Sequence, residues 1–314
     1  MLVVCRRGPA GVEILRLETP DAAVTLPETL WGLPVVALGD HALTPGRRET
    51  SGQPLRIVCR GTDREADNGQ LSALTLPESL QLVGDYAFHN CTALRTLRLF
   101  DGVRSWGTGA LMNCRSLNTF EIRLTGGRER ALSYFADELS GELDAALVYP
   151  DGESARLIFP EYREFYEENS PAHYFDYKIF GAGYPYHHCF RDHAFFPEDF
   201  DALWEGMLRT EHDPGCAMRL AWYRLRVPKG LKPAAAQRYF DYLRACAPEA
   251  MRWLLEQRDS EGLAWFLRKA QPGREALAES CALARTLRAA EAQALLLEEL
   301  HRRFPSGPEK TFAL

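Results

Sequence analysis

The sequence predicts an α+β chain: a short solenoid of β-strand coils with a 23-residue period, a hairpin cap, then an all-α, helical repeat-like domain. Three observations carry this. VGDYAFHNCTALRTLRL (83–99) returns at 103–122, with Gly84 recurring as Gly107, Ala87 as Ala110, Asn90 as Asn113, Cys91 as Cys114 and Leu94 as Leu117. A fixed step of this size signals stacked coils, none of which buries its own core. After residue 125 the period stops, and ALVYPDGESARLIF (146–159) places two apolar runs around Pro150-Asp151-Gly152, the pattern of a β-hairpin. From residue 197 onward apolar residues recur at three- and four-residue spacing, as in Met251, Leu254 and Leu255, which predicts helices.

Within one coil, LRTLRL points Leu97 and Leu99 inward and alternates Thr96 and Arg98 outward, as a half-buried strand requires. Leu94 closes the turn before the strand, and Ala87 with Phe88 closes the coil's other side. The repeated glycine is expected to allow a tight turn. Leu76 recurs as Leu99 and Ile122, Leu80 as Val103, and Val83 as Trp106. An earlier copy, LPETLWGLPVVALGDHAL (26–43), aligns Gly39 with Gly84, 45 residues on. The intervening RETSGQPLRIVCRGTDREADNGQ is polar and Gly-rich, which predicts a divergent repeat with a surface loop. Asn90 and Asn113 are expected to stack and to satisfy buried backbone groups in the turn. Cys91 and Cys114 occupy equivalent sites about 4.8 Å apart, the strand spacing, which lies within disulfide reach.

The helix ALSYFADEL and the hairpin are expected to cap the solenoid's open end, where apolar surface and an unpaired edge would otherwise show. PEYREFYEENSPAHYFDYKIFGAGYPYHHCFRDHAFF reads as a helix followed by an irregular aromatic connector, 161–196. This divides the chain into a repeat domain, 1–160, and a helical domain, 161–314. Helices are expected at PEDFDALWEGMLR, CAMRLAWYRLRV, AAAQRYFDYLRACA, EAMRWLLEQRD, EGLAWFLRKA, EALAESCALARTL and EAQALLLEELHRRF. RDSEGLAWFLRK from 258 matches RAAEAQALLLEE from 288, which suggests stacked helix pairs. Trp204, Trp222, Trp253 and Trp265 sit at helical spacing, where core duty outweighs interface duty.

The stretch LPESLQLVGDYAFHNCTALRTLRL resembles the BspA-like class of bacterial leucine-rich repeats, and residues 26–43 and 74–122 carry the resemblance. It implies a binding surface for varied partners; many relatives are surface proteins.

Composition narrows the function. Of 314 residues, 46% are hydrophobic and 25% charged, enough to build cores. The net charge of −6 carries no basic excess, so neither nucleic acid nor an anionic membrane is the expected partner. The apolar start of MLVVCRRGPAG is short and precedes its arginines, unlike a secretory leader, and no C-x-x-C pair occurs among the eight cysteines. Reduced thiols and a cytoplasmic location are therefore expected.

The densest chemistry lies in HYFDYKIFGAGYPYHHCFRDH (173–193), where His187, His188, Cys189 and His193 present zinc-type ligands. Adjacent histidines on a strand point to opposite faces, and no paired ligand motif supports them. Gly181 and Gly183 lack the strand, third glycine and helix of a dinucleotide fingerprint and are expected in a tight turn. Cys189 has no orienting third group for nucleophilic catalysis. No catalytic residue, metal ligand or cofactor is therefore expected, and no enzyme. What remains is the outward strand face: Thr75, Arg98 and Glu121 in one ladder, Ala73, Thr96 and Thr119 in the next, with Arg95 and Arg123 alongside. The expected function is a non-catalytic scaffold or adaptor that binds a protein partner there. The rivals are a metalloprotein or enzyme centred on 173–193 and a surface-displayed adhesin.

Overall fold

The computed structural model describes residues 1–46, 55–58, 67–126, 128–169, 174–211 and 213–305. They form two compact units: Met1–Cys216 with Val227–Gly230, and Ala217–Arg226 with Leu231–Leu314. The segment 161–196, assigned from sequence to the helical half, lies in the first unit.

The first unit opens with an antiparallel pair, β1 (Leu2–Gly8) and β2 (Gly11–Glu18), followed by β3 (Ala23–Thr25), β4 (Thr29–Leu30), β5 (Leu33–Leu38) and β6 (Leu55–Val58). The repeats supply β7 (Ala73–Thr75), β8 (Leu82–Val83), β9 (Thr96–Phe100), β10 (Ser105–Trp106) and β11 (Thr119–Arg123). Each coil alternates between two sheets. One runs β10-β8-β5-β2-β1-β6; the other begins β3-β7-β9-β11, all parallel. Between them Leu74, Leu97 and Phe120 form one column, Leu76, Leu99 and Ile122 a second, and Leu71, Leu94 and Leu117 a third, all buried. Most of the divergent copy, 48–70, lies outside the described residues; β6, which falls within it, pairs with β1.

The predicted cap forms. After α1 (Arg130–Glu138), β12 (Leu143–Val148) adds in parallel to β11, and β13 (Ser154–Phe159) turns back antiparallel to it. On α1, Phe135 stacks on Phe120 with ring centres 4.4 Å apart, and Tyr134 stacks on Trp106 at 5.0 Å. Asp101, at the end of a repeat coil, accepts the backbone N–H groups of Arg130 and Ala131 at 3.0 and 2.7 Å, satisfying two orphan donors of the helix start.

The predicted helix at 161–169 is a strand. β14 (Tyr162–Asn169) and β15 (Tyr174–Gly181) form a two-stranded antiparallel hairpin. Tyr162, Phe165 and Tyr166 have helical spacing, but the aromatic and β-branched residues of β15 offer a cross-strand partner, and pairing overrides the local pattern. α2 (Gly183–His187), β16 (Phe190–Arg191), β17 (Ala194–Phe195), α3 (Pro197–Ala202) and α4 (Trp204–Thr210) follow. The single helix expected at 197–209 is broken at Leu203 into the last two.

Two repeat signals have causes other than those expected. Gly84 and Gly107 are not in positive-φ turns; they sit where successive coils touch backbone to backbone. A Cβ on Gly107 would lie 2.3 Å from the Gly84 carbonyl carbon, and one on Gly84 2.6 Å from that of Gly39. Asn90 and Asn113 are exposed and left-handed, at φ 62° and 64°, a conformation asparagine tolerates. Their amides hydrogen-bond to each other rather than to buried backbone.

α5 (Pro214–Arg226) leads into the second unit, which holds α6 (Pro233–Ala245), α7 (Ala247–Glu256), α8 (Ser260–Ala270), α9 (Arg274–Thr286) and α10 (Ala290–Arg303). The 30-residue match is structural. α7 packs on α8 and α9 on α10, and α7 meets α9 while α8 meets α10, so one helix pair stacks on the next. Arg258 and Arg288 end the first helix of each pair at φ 56° and 54°. Trp222 is buried at the centre of an aromatic cluster, 6.0 Å from Trp253 and 5.4 Å from Trp265 between ring centres.

Candidate functional site

Parallel register aligns the outward residues of the repeat sheet into rows. Thr75 pairs with Arg98, Arg98 with Glu121, and Glu121 with Ala146. The next row on the same face is Phe100, Arg123 and Val148. Together these line a groove of about 470 Å³, which Leu76, Leu99 and Ile122 also border although their side chains face the core. Of the expected site residues, Thr75, Arg98, Glu121 and Arg123 meet in the groove. Thr96 and Thr119 begin their strands, Arg95 precedes β9, and all three lie outside it.

Arg98 donates its Nε–H to a Glu121 carboxylate oxygen at 2.8 Å, and this hydrogen bond pushes the guanidinium's proton affinity up. Both side chains are about half exposed, so the pair adds roughly 0–1 kcal/mol to stability. The Arg123 guanidinium lies over the Phe100 ring, 5.4 Å from its centre. Val148 is an exposed aliphatic side chain at the groove's end. The face thus offers apolar contact beside both signs of charge, which suits a polypeptide segment with an apolar anchor and charged neighbours. Phe100 and Val148 are absent from the sequence-based site. Phe100 was visible as the outward residue two after Arg98; Val148 comes from the hairpin, which the 23-residue period does not reach.

The His/Cys stretch is dispersed. His187 is fully buried, its ring nitrogens 2.8 Å from the Ala136 carbonyl and 3.1 Å from that of Pro160. Burial pushes its pKa below the usual imidazole value, against the two hydrogen bonds. His188 is exposed and packs edge-on against Tyr184. His193 faces the Ser133 hydroxyl at 3.3 Å. The Cys189 thiol faces the Pro185 carbonyl, and burial pushes its pKa up to about 12, the opposite of an activated nucleophile. Among the described residues no three His, Cys, Asp or Glu side chains converge to hold a metal ion. Gly181 and Gly183 bring the base of β15 and the start of α2 against the Pro160–Glu161 backbone; a Cβ at Gly183 would lie 2.0 Å from the Pro160 oxygen. Among the described residues no helix is long and apolar enough to cross a membrane.

Residues 66–135 match the BspA type leucine rich repeat region, in 6 copies. The chain is also similar to the leucine rich repeat protein of T. pallidum, known from a crystal structure. The two are 26% identical over 38% of this chain, with a TM-score of 0.29, and the match spans about half, 49%, of that chain. No curated protein matches the chain.

Proposed function

We propose that the protein is a non-catalytic, cytoplasmic scaffold that binds a protein partner on the repeat strand face. The observation that carries this is the groove of Thr75, Arg98, Phe100, Glu121, Arg123 and Val148, an open surface that BspA-type repeats build and the cap hairpin extends through Val148. Repeats of this kind stack so that equivalent side chains form a continuous face, and that face is what such arrays present to partners.

The test is a tagged pull-down from native host lysate, read by mass spectrometry. It compares wild type with Arg98→Glu/Glu121→Arg, which keeps the ion pair but exchanges its charges, and with Phe100→Ser. A partner held by wild type and lost by both variants is expected. A partner held equally by all three would remove binding from this face. The cytoplasmic part has its own test. Cys91 and Cys114 are buried free thiols donating to the Leu43 and Phe88 carbonyls, and both pKa values are pushed up by burial. In protein taken from native cells without reductant, both are expected to alkylate only after unfolding. A Cys91–Cys114 disulfide there would favour surface display instead.

A further inference from the structure

The β14–β15 hairpin is apolar on surfaces where a monomer needs no apolar residues. Phe165, Tyr166, Phe175, Tyr177 and Phe180 are 47%, 63%, 51%, 52% and 55% exposed. Its base is anchored through buried Tyr162, whose ring packs edge-on against Tyr184 and His187. A two-stranded ribbon is marginal in water, and an exposed aromatic patch of this kind marks an interface. Among the described residues the hairpin's sheet has two strands only, so the outer edges of both carry unpaired backbone groups.

The two edges differ in charge. β14 carries Arg163, Glu164, Glu167 and Glu168, an acidic strand that repels a like strand. β15 carries one Asp and one Lys, and its order is self-complementary about Tyr177: Phe175-Asp176-Tyr177-Lys178-Ile179. We infer that β15 pairs antiparallel with β15 of a second copy of this chain, about a two-fold axis at Tyr177.

That register sets Tyr177 against its own symmetry mate, Phe175 against Ile179, and Asp176 against Lys178, each twice by symmetry. Within one chain Asp176 and Lys178 already form an ion pair along the strand; pairing turns it into a ring of four alternating charges. On one face Phe175, Tyr177 and Ile179 of both copies merge into a single apolar strip, flanked by Tyr166, which stacks on Phe175 with ring centres 5.6 Å apart. The product is a four-stranded sheet whose outer strands are both β14. Their carboxylates stop further strand addition, so assembly ends at the dimer. A one-residue slip would turn the apolar residues of the two copies to opposite faces, and a two-residue slip would set Asp176 beside Asp176 or Lys178 beside Lys178, so face and charge together fix the register.

The experiment is sedimentation velocity of the full chain across the micromolar range, with variants Asp176→Lys, Lys178→Asp and the double exchange. Wild type is expected to dimerise. Each single variant places like charges opposite each other twice and is expected to weaken the dimer by about tenfold or more. The double exchange restores it, and so does mixing the two single variants, which are complementary to each other. A wild type that stays monomeric would overturn the inference. So would single variants that dimerise as wild type does, an outcome that places association elsewhere on the chain. A second readout does not depend on those variants. Antiparallel neighbours lie within disulfide reach, so Tyr177→Cys is expected to cross-link two copies on mild oxidation. Phe175→Cys, about 13 Å from its mate in this register, is not; equal cross-linking of both would refute the two-fold at Tyr177.

Discussion

Gly107→Ala tests whether the repeat's glycine is there for space rather than for turn geometry. The added methyl would sit 2.3 Å from the Gly84 carbonyl carbon, 2.4 Å from the Asp85 nitrogen and 2.6 Å from an Asp85 carboxylate oxygen. Two of these are backbone atoms of the preceding coil, so no rotamer change relieves the contact; the coils must separate by about 1 Å. Overpacking of this kind costs about 1–3 kcal/mol. Separation also strains Gly107 N–H to Val83 O at 2.8 Å and Thr108 N–H to Asp85 Oδ1 at 2.7 Å, each worth about 1 kcal/mol net. Reduced freedom of the unfolded chain returns about 0.4–1 kcal/mol. The expected loss is therefore about 2–4 kcal/mol. Urea unfolding, followed by hydrogen exchange of peptides from β9 and β11, measures it in the solenoid alone. Gly39→Ala is the comparator. Its methyl would meet side-chain ends, Glu13 Oε1 at 3.2 Å and Leu15 Cδ2 at 3.3 Å, which can move, so a loss below about 1 kcal/mol is expected. Equal, small losses at both positions would refute the backbone-contact explanation.

Asp101 adds a pH dependence. Burial raises its pKa to about 6 from 3.8, against the two α1 N–H bonds, so the folded state holds this proton more tightly than the unfolded state. Its contribution is full below about pH 4 and is lost as pH rises through 6, up to about 3 kcal/mol for a shift of this size. Asp101→Asn is expected to flatten that limb of the stability–pH curve measured by urea unfolding; an unchanged limb would mean another group carries it. At the helix repeats, Arg288→Gly places glycine where φ is 54°, and is expected to stabilise the second unit by about 0.5–1 kcal/mol in thermal unfolding. A loss instead would show that the left-handed backbone there is unstrained.

The solenoid was legible because its signals are local and repeated. Alternation in LRTLRL fixes which residues face inward, and the 23-residue step stacks Leu74, Leu97 and Phe120 without further information. The helix pairs were legible for the same reason, since the 258 and 288 segments share both sequence and backbone. What failed depends on partners distant in sequence. YREFYEEN has aromatics at helical spacing, and only its pairing to 174–181 makes it a strand. The glycines were found by recurrence but misattributed, because the atoms that exclude a side chain belong to the neighbouring coil. The groove was half legible. Charged residues such as Arg98 and Glu121 stand out in a ladder, whereas Phe100 reads as core until strand parity places it outward, and Val148 joins only through the register of β12 on β11.

The groove and the hairpin edge are separable, and the separation makes a prediction about strength of binding. A two-fold at Tyr177 puts two copies of the groove into one assembly, so a partner that itself presents two binding segments is held by both. The second contact is then intramolecular and raises apparent affinity by up to about 10²–10⁴ without any new contact. A partner with one segment gains nothing. Asp176→Lys should therefore leave one-to-one capture intact while lowering retention of a bivalent partner in proportion to the dimer lost. Phe100→Ser should weaken both equally, because it acts on the contact and leaves β15 untouched. Titration of immobilised and soluble partner, each against both variants, distinguishes the cases. Loss of one-to-one binding in Asp176→Lys would mean that the hairpin itself touches the partner, and the division of the molecule into a binding face and a pairing edge would fall.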